Sequence, residues 1–516
     1  MKRKMLLVLL VALTLIFTAC IDHDGDYTQT QVGDGDILQT TQPTEPSDTE
    51  PPVTTQPEDE YPWLRFALNE DEESYRITGV EADCPQHLDI PGRYQGKPVT
   101  VIENVQHATF SSVTIAESIE KIEGYAFAGC DSLVQVTVPG SVKIIERFAF
   151  TECKALSSIK ICDGVEVIEY GIVHGCRALI EADLPDGGYV LVHSGAFEGS
   201  GLYKEENWDQ GVLYVDNYLL EVDHNTLTKD SYLEPVIHYE IKEGTVNLAE
   251  MAFYGEGGYI YRITLPDSLV FIGPESLRIY IETLHIPASV RYIGQCACDS
   301  YYLERLTFEE GVEYIGDHAF SCQSLTSVLF PASVKYFGES VLYGDYTKYI
   351  QVADGNSVYH SSGNCIIETA TGVLIQGCNN STIPNDGSVT AIGPSAFANC
   401  HGIKKMVIPE GVMQIGRSAF DYCPQMTQLV LPKSLVSIDE SAFSGCSKLT
   451  TVTIPAAVSY IGKYAFGSCK RIETVVFEND VGWSADGEVV DVTDPAAAAA
   501  ALCEDLWQAV WTRTDN

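Results

Sequence analysis

The chain has 516 residues, of which 45% are apolar, and its 31 basic and 72 acidic residues give a net charge of −41 at pH 7. Such an acidic chain repels nucleic acid and anionic lipid, so the composition excludes nucleic-acid binding as a principal function. The apolar content is ample for a continuous core, and this length does not require several globular domains if the chain is built from repeats.

The amino terminus has the organisation of an export signal. Basic residues at positions 2–4 precede an apolar run over residues 5–17, which is shorter than the ~20 residues that cross a bilayer as a helix. The run ends in Thr18-Ala19-Cys20, which resembles a bacterial lipobox, although Phe17 stands where that motif prefers Leu. We therefore expect residues 1–20 to be a lipoprotein signal peptide and Cys20 to be lipidated after cleavage. An ordinary secretory signal with an incidental cysteine is the alternative.

Residues 21–60 have the composition of a disordered stalk. They contain eleven Asp or Glu residues and no Lys or Arg, and Thr, Gln and Pro recur throughout. Such a segment buries too little apolar surface to offset the conformational entropy that is lost on ordering. Asp22, Asp24 and Asp26 alternate as in a calcium-binding loop, but no bidentate Glu closes that loop, so we interpret them as solvated acids.

From residue 61 the chain follows a repeat of 22–23 residues. Phe397, Phe420, Phe443 and Phe466 are each 23 residues apart, and Ala-Phe dipeptides recur through the preceding sequence. A period in this range is typical of a solenoid, in which one supersecondary unit stacks many times. In each unit a half-buried strand of the form L-x-x-V-x-I is ended by a proline, which cannot donate to a β-ladder. The sequence predicts a mainly β leucine-rich-repeat solenoid of about 13 coils over residues 61–480.

The repeat resembles that of the BspA-like, or Treponema pallidum-type, leucine-rich repeat proteins of bacterial surfaces. The resemblance is carried by I-P-x-x-V-x-x-I-G-x-x-A-F-x-x-C-x-x-L units, as at 408–426 and 454–472, and it covers roughly residues 62–480. It implies a surface-exposed or secreted protein, and several members of the family are thought to be adhesins. Because the function of the family is diverse, the resemblance implies a binding surface rather than a named ligand.

Cysteine follows the same repeat. Seven of the sixteen cysteines occupy one equivalent position, which we call the cysteine ladder: Cys130, Cys153, Cys176, Cys400, Cys423, Cys446 and Cys469. Stacked strands are about 4.8 Å apart, which is farther than the ~3.8 Å between the Cβ atoms of a disulfide. We therefore interpret the ladder as buried small side chains whose S–H groups can meet turn carbonyls, and not as a metal site. The spacing leaves open whether Cys296 and Cys298, or Cys365 and Cys378, form disulfides.

The repeat is interrupted twice and then ends in a cap. Around residues 203–247 and 354–384, alternating apolar residues predict β-hairpins, which either project and carry specificity or lengthen a coil to fill a kink. Residues 481–516 predict a small α-containing cap, with Asp494 as the N-cap of an alanine-rich helix. We interpret Trp507 and Trp511 as packing residues of this cap rather than as a sugar-stacking site.

No sequence motif indicates catalysis. The chain lacks Gly-x-Ser-x-Gly, His-Glu-x-x-His, a Walker loop and a dinucleotide-binding fingerprint. The segments outside the repeats are too short for a separate catalytic domain. We therefore predict that the protein is not an enzyme and uses neither a cofactor nor a metal ion.

The outward face of the strands is the predicted functional surface. Alternation places one outward residue at the same position of each coil, and this row becomes apolar toward the carboxy terminus. The candidate ligand-binding residues are Thr307, Leu329, Val407, Val430, Thr453 and Val476. A long exposed apolar stripe is typical of a contact site. The alternative explanation is that the flanking turns cover this row, or that its β-branched residues are present only because strands favour them.

These observations predict a lipid-anchored protein on the extracellular face of a bacterial membrane that binds a protein of the host, the matrix or a neighbouring cell. A polysaccharide-binding module is the second hypothesis, although the predicted face carries Thr and Val rather than aromatic residues. A structural envelope spacer without a ligand is the third. Membrane contact is expected only through the amino-terminal lipid, no nucleic-acid partner is expected, and no feature of the sequence specifies an oligomeric state.

Overall fold

The structure is a computed structural model that describes residues 61–223, 226, 238–254, 260–343 and 346–514. The predicted signal peptide, the lipidation residue Cys20 and the predicted stalk lie outside the described residues. The predicted fold class is confirmed, because the described chain is a mainly β leucine-rich-repeat solenoid with a short helix near its carboxy terminus. It has about 17 turns rather than about 13. The larger number arises because strands of the hairpins continue the stack of coils.

Each coil has three sides. The first is a long strand with alternating burial, as in Gln135–Val138 and Thr451–Ile454, whose second and fourth residues point into the core. The second is a short strand of two residues, and the third is a turn that contains the Ala-Phe dipeptide. Strands of the same kind pair in parallel between successive coils, so that Gln135–Val138 lies in register with Ser158–Ile161. Equivalent residues therefore stack directly on one another.

Phenylalanine rings fill the centre of the coils. Phe397, Phe420, Phe443 and Phe466 are fully buried, and successive ring centroids lie 4.9, 5.2 and 5.3 Å apart with nearly parallel planes. Their spacing equals the strand-to-strand distance of a β-sheet, so ring stacking and backbone pairing require the same separation of the coils.

Coil length determines the shape of the turn side. In a coil of 23 residues, one residue before the Ala-Phe dipeptide and one after it have positive φ, as at Ser441 (55°) and Gly445 (69°) around Phe443. In the described central coils of 22 residues, only the residue before the dipeptide has positive φ, and the residue with positive φ after it is missing. A short parallel sheet formed by Cys298–Asp299, Phe320–Ser321 and Leu342–Tyr343 takes its place. The loss of one residue thus replaces a turn by a strand.

The amino-terminal block comprises residues 61–207. Its first hairpin, Leu64–Leu68 with Tyr75–Val80, closes the end of the core and was not predicted from the sequence. The long strands are His87–Ile90, Ser112–Ile115, Gln135–Val138, Ser158–Ile161 and Glu181–Asp183, and the strands of the second side are Lys97–Ile102, Lys121–Ile122, Ile144–Ile145, Val167–Ile168 and Leu191–Val192. The strand Arg93–Tyr94 pairs with Lys97–Ile102, and two 3₁₀ turns, Gly201–Tyr203 and Glu205–Asn207, end the block.

The central block comprises residues 208–358. It opens with the antiparallel strands Trp208–Asp209, Val212–Val215 and Tyr218–Val222, which turn at Asp216-Asn217 as predicted. Its long strands are Tyr239–Glu240, Ile263–Thr264, Thr283–Ile286, Arg305–Phe308, Ser327–Phe330 and Tyr349–Val352, and its short strands are Asn247–Leu248, Phe271–Ile272, Tyr292–Ile293, Tyr314–Ile315 and Tyr336–Phe337.

The carboxy-terminal block comprises residues 359–514. It also opens with antiparallel strands, Tyr359–Ser362, Cys365–Glu368 and Val373–Gln376. The long strands are Lys405–Val407, Gln428–Val430, Thr451–Ile454 and Thr474–Phe477, and the short strands are Ala391–Ile392, Gln414–Ile415, Ser437–Ile438 and Tyr460–Ile461.

The cap at the end of this block contains the strands Trp483–Ala485, Glu488–Val489 and Trp511–Arg513 and the helix Pro495–Ala500, which continues as a π-helical turn over Ala501–Asp505. The predicted N-cap is present, because the Asp494 carboxylate accepts hydrogen bonds from the amides of Ala496 and Ala497 at 2.9 and 2.8 Å. Trp511 is buried, and its strand pairs with Tyr460–Ile461 at the end of the stack.

The two internal hairpins do not project from the solenoid. Ile366 packs into the apolar core of the central block, and the adjacent Ile367 packs into that of the carboxy-terminal block. In the first hairpin, Leu219 packs into the core of the central block, and the adjacent Leu220 packs into that of the amino-terminal block. Since neighbouring residues of a strand point to opposite faces, each hairpin is buried on both faces and separates two cores. Of the two alternatives for the inserts, the described strands therefore fit the one in which an insert lengthens the stack of coils.

Polar contacts join the blocks beside the hairpins. The Glu250 amide donates to the carbonyl of Val192 at 2.8 Å, and the Glu250 carboxylate lies 2.7 Å from Nδ1 of His193. At the second junction, the Arg417 guanidinium pairs with Glu339 at 2.8 Å. Backbone and side-chain bonds thus connect successive blocks even though their cores are separate.

The double burial of the second hairpin can be tested by two substitutions. We expect Ile366→Ala and Ile367→Ala each to lower the free energy of unfolding by about 2–5 kcal/mol, because both side chains are fully buried. Urea denaturation would measure the change, and Val489→Ala, at an 89% exposed residue, is the control with little expected effect. A normal stability for either isoleucine variant would show that the hairpin has a solvent-exposed face.

The stability that the junction between the first two blocks contributes should depend on pH. Burial lowers the pKa of His193, but the hydrogen bond and charge of Glu250 outweigh burial, so the pKa is raised. A raised pKa in the folded state means that the pair contributes its full stability below the pKa of the unfolded chain, and that this stability is lost as the pH rises through the folded pKa.

Glu250→Gln should therefore lower the pKa of His193 in an NMR titration, and should destabilise the protein more at about pH 5 than at about pH 9. Glu309→Gln, which removes the partner of the exposed His285 at 3.6 Å, is the matched control. An unchanged pKa of His193 in the Glu250 variant would contradict the assignment.

Candidate functional site

The outward residues of the long strands are exposed and stack in register. Val407 lies opposite Val430, and Thr453 lies opposite Val476, so these four residues occupy the same position in four successive coils. The three valines are 44–48% exposed. We call these four residues the valine row. It presents three exposed valines to solvent, with Thr453 between Val430 and Val476.

The structure does not join Thr307 and Leu329 to the valine row. Both residues are exposed on long strands of the central block. Gln351 and Thr382, which are polar and exposed, occupy the corresponding positions between Leu329 and Val407. The single apolar stripe predicted from the sequence is therefore divided into separate patches. Leu329 instead borders a cavity of about 500 Å³ at the second hairpin, together with Gln351, Tyr359 and His360.

The valine row lies in a basic part of an acidic chain. Between residues 404 and 471 there are eight Lys or Arg and only four Asp or Glu, although the whole chain has a net charge of −41. Lys405 lies two residues before Val407 on the same strand, and both side chains are exposed. Arg417 pairs with Glu339. In the described part of the chain, no ion pair involves the other seven: Lys404, Lys405, Lys433, Lys448, Lys463, Lys470 and Arg471.

The cysteine ladder lies inside the coils. All seven side chains are buried, and six S–H groups donate to backbone carbonyls of the preceding coil at sulfur–oxygen distances of 3.1–3.4 Å. Cys423, Cys446 and Cys469 donate to the carbonyls of Phe397, Phe420 and Phe443, respectively. Cysteine thus satisfies the carbonyl of the same phenylalanine whose ring fills the preceding coil.

The cysteines of the described ranges are unbridged. All fifteen cysteines of the described ranges are free, including Cys296, Cys298, Cys365 and Cys378, so the disulfides left open by the spacing do not form. Burial raises the pKa of Cys365 to about 12 and that of Cys296 to about 11. Because the thiolate is the nucleophile and the metal ligand, these cysteines are suited to packing rather than to chemistry.

A groove lined by tyrosine in the central block was missed by the sequence analysis. Its volume is about 510 Å³, and Tyr280, Tyr301, Tyr302 and Tyr346 contribute to its walls. The sequence signal was available, because Tyr280, Tyr302 and Tyr346 each lie four residues before the first inward residue of a long strand. This row of tyrosines lies beside the outward strand residues and not among them.

Neither a metal cluster nor a membrane-spanning helix occurs in the described part of the chain. Within the ranges that the structure describes, His, Cys, Asp and Glu side chains form no group of three that could hold a metal ion. In the same ranges, no helix has both the length and the apolar character that crossing a membrane requires.

Comparison with known families identifies the repeat. The sequence matches the BspA type leucine rich repeat region, in six copies, over residues 105–224, 240–364 and 375–483. The chain belongs to the BspA-type leucine-rich repeat family. The first gap between the matched segments falls in the first predicted insert. The second gap, at 365–374, covers the strand Cys365–Glu368 and the turn that follows it in the second insert.

The chain is also similar to several solved structures. A leucine-rich cell surface protein of Faecalibacterium prausnitzii is 18% identical, over 80% of this chain and 86% of that chain, with a TM-score of 0.36. The pneumococcal vaccine antigen PcpA is 18% identical over 82% and 81%, with a TM-score of 0.38. A leucine-rich repeat protein of Bacteroides ovatus is 21% identical over 80% and 92%, with a TM-score of 0.30. Among curated proteins, the comparison finds no match.

Membership in the BspA-type family is informative about the general role. Leucine-rich-repeat solenoids of this family are typically non-catalytic binding scaffolds. The exposed surfaces of the coils, and not an enclosed pocket, are therefore where a function should be sought.

Proposed function

We propose that the protein is a lipid-anchored binding protein of the bacterial cell surface, without catalytic activity, whose valine row and surrounding lysines bind an acidic protein. The observation that carries this proposal is that the exposed valine row occurs beside a stretch of the chain, residues 404–471, in which seven of the eight basic residues form no ion pair within the described part of the structure.

The two parts of this surface have different physical roles. Burial of the valines under a partner would supply affinity, because removing apolar surface from water contributes about 25 cal/mol per Å². The lysines would attract an acidic partner and orient it, which increases the association rate more than the final affinity. A purely polyanionic ligand would use the lysines but would gain nothing from the valines. An acidic protein surface with an apolar centre uses both.

Substitution of the row tests the proposal. A panel of host extracellular-matrix and cell-surface proteins would be screened for binding, together with the variant Val407→Lys, Val430→Lys and Val476→Lys. We expect saturable binding to an acidic protein, and at least about tenfold weaker binding of the variant, since charged side chains would replace the apolar contact. Surface plasmon resonance would measure both affinity and rates.

A matched variant controls for charge. Thr114→Lys, Thr137→Lys and Thr264→Lys add the same charge to exposed positions of the same row in the other two blocks and should leave binding unchanged. Binding by the native protein should weaken as salt is raised, because screening reduces the attraction of the lysines. Absence of any protein ligand would favour the structural spacer, and equal binding by both triple variants would exclude the valine row.

The proposed anchor has a separate test. If Cys20 carries the lipid, Cys20→Ser should move the protein from the membrane fraction to the medium, because an unlipidated chain lacks the acyl groups that hold it. Fractionation of the producing bacteria followed by immunoblotting would show the change. Cys162→Ser, at a half-buried cysteine of the solenoid, should remain with the membrane. Retention of the Cys20 variant would exclude lipidation as the anchor.

A further inference from the structure

The groove in the central block is formed by tyrosines of successive coils. Tyr302 and Tyr346 are 54% and 56% exposed, and Tyr280 is 39% exposed. The ring centroids of Tyr280 and Tyr302 lie 5.4 Å apart, with an angle of 56° between the ring planes. Tyr301 is 55% exposed and lines the same groove. Large aromatic surfaces are thus open to solvent along the stacking direction.

This arrangement belongs to the central block alone. The position four residues before the first inward residue of the long strand is Tyr280, Tyr302, Ser324 and Tyr346 in four successive coils. In the flanking blocks it is small, polar or basic, as at Ser132, Ala155, Gln425 and Lys448. The tyrosines occur where the shorter coils replace the preceding turn by the strands Cys298–Asp299, Phe320–Ser321 and Leu342–Tyr343.

The remaining lining is polar and uncharged. Gln323, Ser324 and Thr326 form the floor between Tyr302 and Tyr346, and the Ser324 hydroxyl donates to the carbonyl of Tyr301 at 2.9 Å. Among the residues that the structure describes, none of those lining the groove is charged, although the chain is strongly acidic. The groove therefore combines flat apolar rings with neutral hydrogen-bonding groups, as small-molecule sites with oriented polar contacts do.

We propose that this tyrosine groove binds a neutral oligosaccharide. The C–H faces of pyranose rings pack on aromatic rings, and their hydroxyl groups can both donate to and accept from amide and hydroxyl side chains. Tyr280 and Tyr302 lie on adjacent coils with their ring centroids 5.4 Å apart, and Tyr346 follows after the coil that carries Ser324. Stacked strands repeat at about 4.8 Å, which is close to the length of one sugar residue in an extended glycan. Successive sugars could therefore meet successive coils.

The charge near the groove distinguishes between kinds of glycan. Glu282 and Glu304 lie two residues beyond Tyr280 and Tyr302, and both are exposed. These carboxylates would repel sulfated or carboxylated sugars, whereas they can accept hydrogen bonds from neutral hydroxyl groups. A protein partner is disfavoured because the groove is open and shallow, while protein anchors concentrate in fully desolvated pockets.

The site is separate from the surface invoked under the proposed function. The tyrosine groove lies in the central block, and the valine row lies in the carboxy-terminal block. The proposal of glycan binding and the proposal of protein binding can therefore be confirmed or refuted independently of each other. The triple valine variant should bind the glycan normally, which makes the two hypotheses distinguishable.

A glycan array with the full-length protein, containing neutral and anionic oligosaccharides, is the first experiment. We expect saturable binding to neutral glycans, with affinity that increases with oligosaccharide length as more coils are contacted. Isothermal titration calorimetry would then compare the native protein with Tyr302→Ala and Tyr346→Ala. Each variant should lose about tenfold or more in affinity. Tyr302→Phe should retain most of the affinity, because it keeps the aromatic face.

Tyr422→Ala is the matched control, since Tyr422 is 57% exposed outside the groove. All variants should keep the native thermal midpoint, because the replaced side chains are exposed. The proposal is overturned by an array without neutral-glycan binding, by selective binding of anionic glycans, or by unchanged affinity in both groove variants. A protein ligand lost from Tyr302→Ala, with no effect on glycans, would overturn it in favour of a protein site.

Discussion

Exact superposition of successive coils is the constraint on which this structure depends. A single coil cannot bury its own apolar residues, so its side chains become core only when the next coil covers them. Three interactions require the same spacing: parallel strand pairing, stacking of Phe397, Phe420 and Phe443, and donation by six of the ladder cysteines to the preceding coil. None of them tolerates a lateral shift. Insertions must therefore occur as complete units that restore the register.

The repeat was predictable because it is periodic in both sequence and structure. Phe443 and Cys446 recur every 23 residues, and a position that recurs at the coil period must face the same environment in each coil. The fold, the two hairpin turns and the Asp494 cap followed from such local signals. The number of turns did not, because the strands of the hairpins join the stack although their sequences do not resemble a coil.

The surfaces were less predictable than the core. Alternation identified Val407 and Val476 as outward residues, but the interruption of their row at Gln351 and Thr382 depends on how the second hairpin joins two blocks. The double burial of Ile366 and Ile367 likewise requires knowledge of both neighbouring cores. The tyrosine groove was overlooked for a different reason, since its residues lie outside the strands on which the search was based.

The hairpins also bear on how the protein would respond to mechanical load or proteolysis. In an uninterrupted solenoid, removal of one coil exposes the core of the next, and unfolding can proceed along the whole array. Here a strand pair with apolar residues on both faces stands between the cores at residues 212–222 and 365–376. Such a pair can still cover one core after the other has been lost. Unfolding or proteolysis that begins at one end would then stop at a block boundary, and the surfaces of the remaining blocks would stay folded.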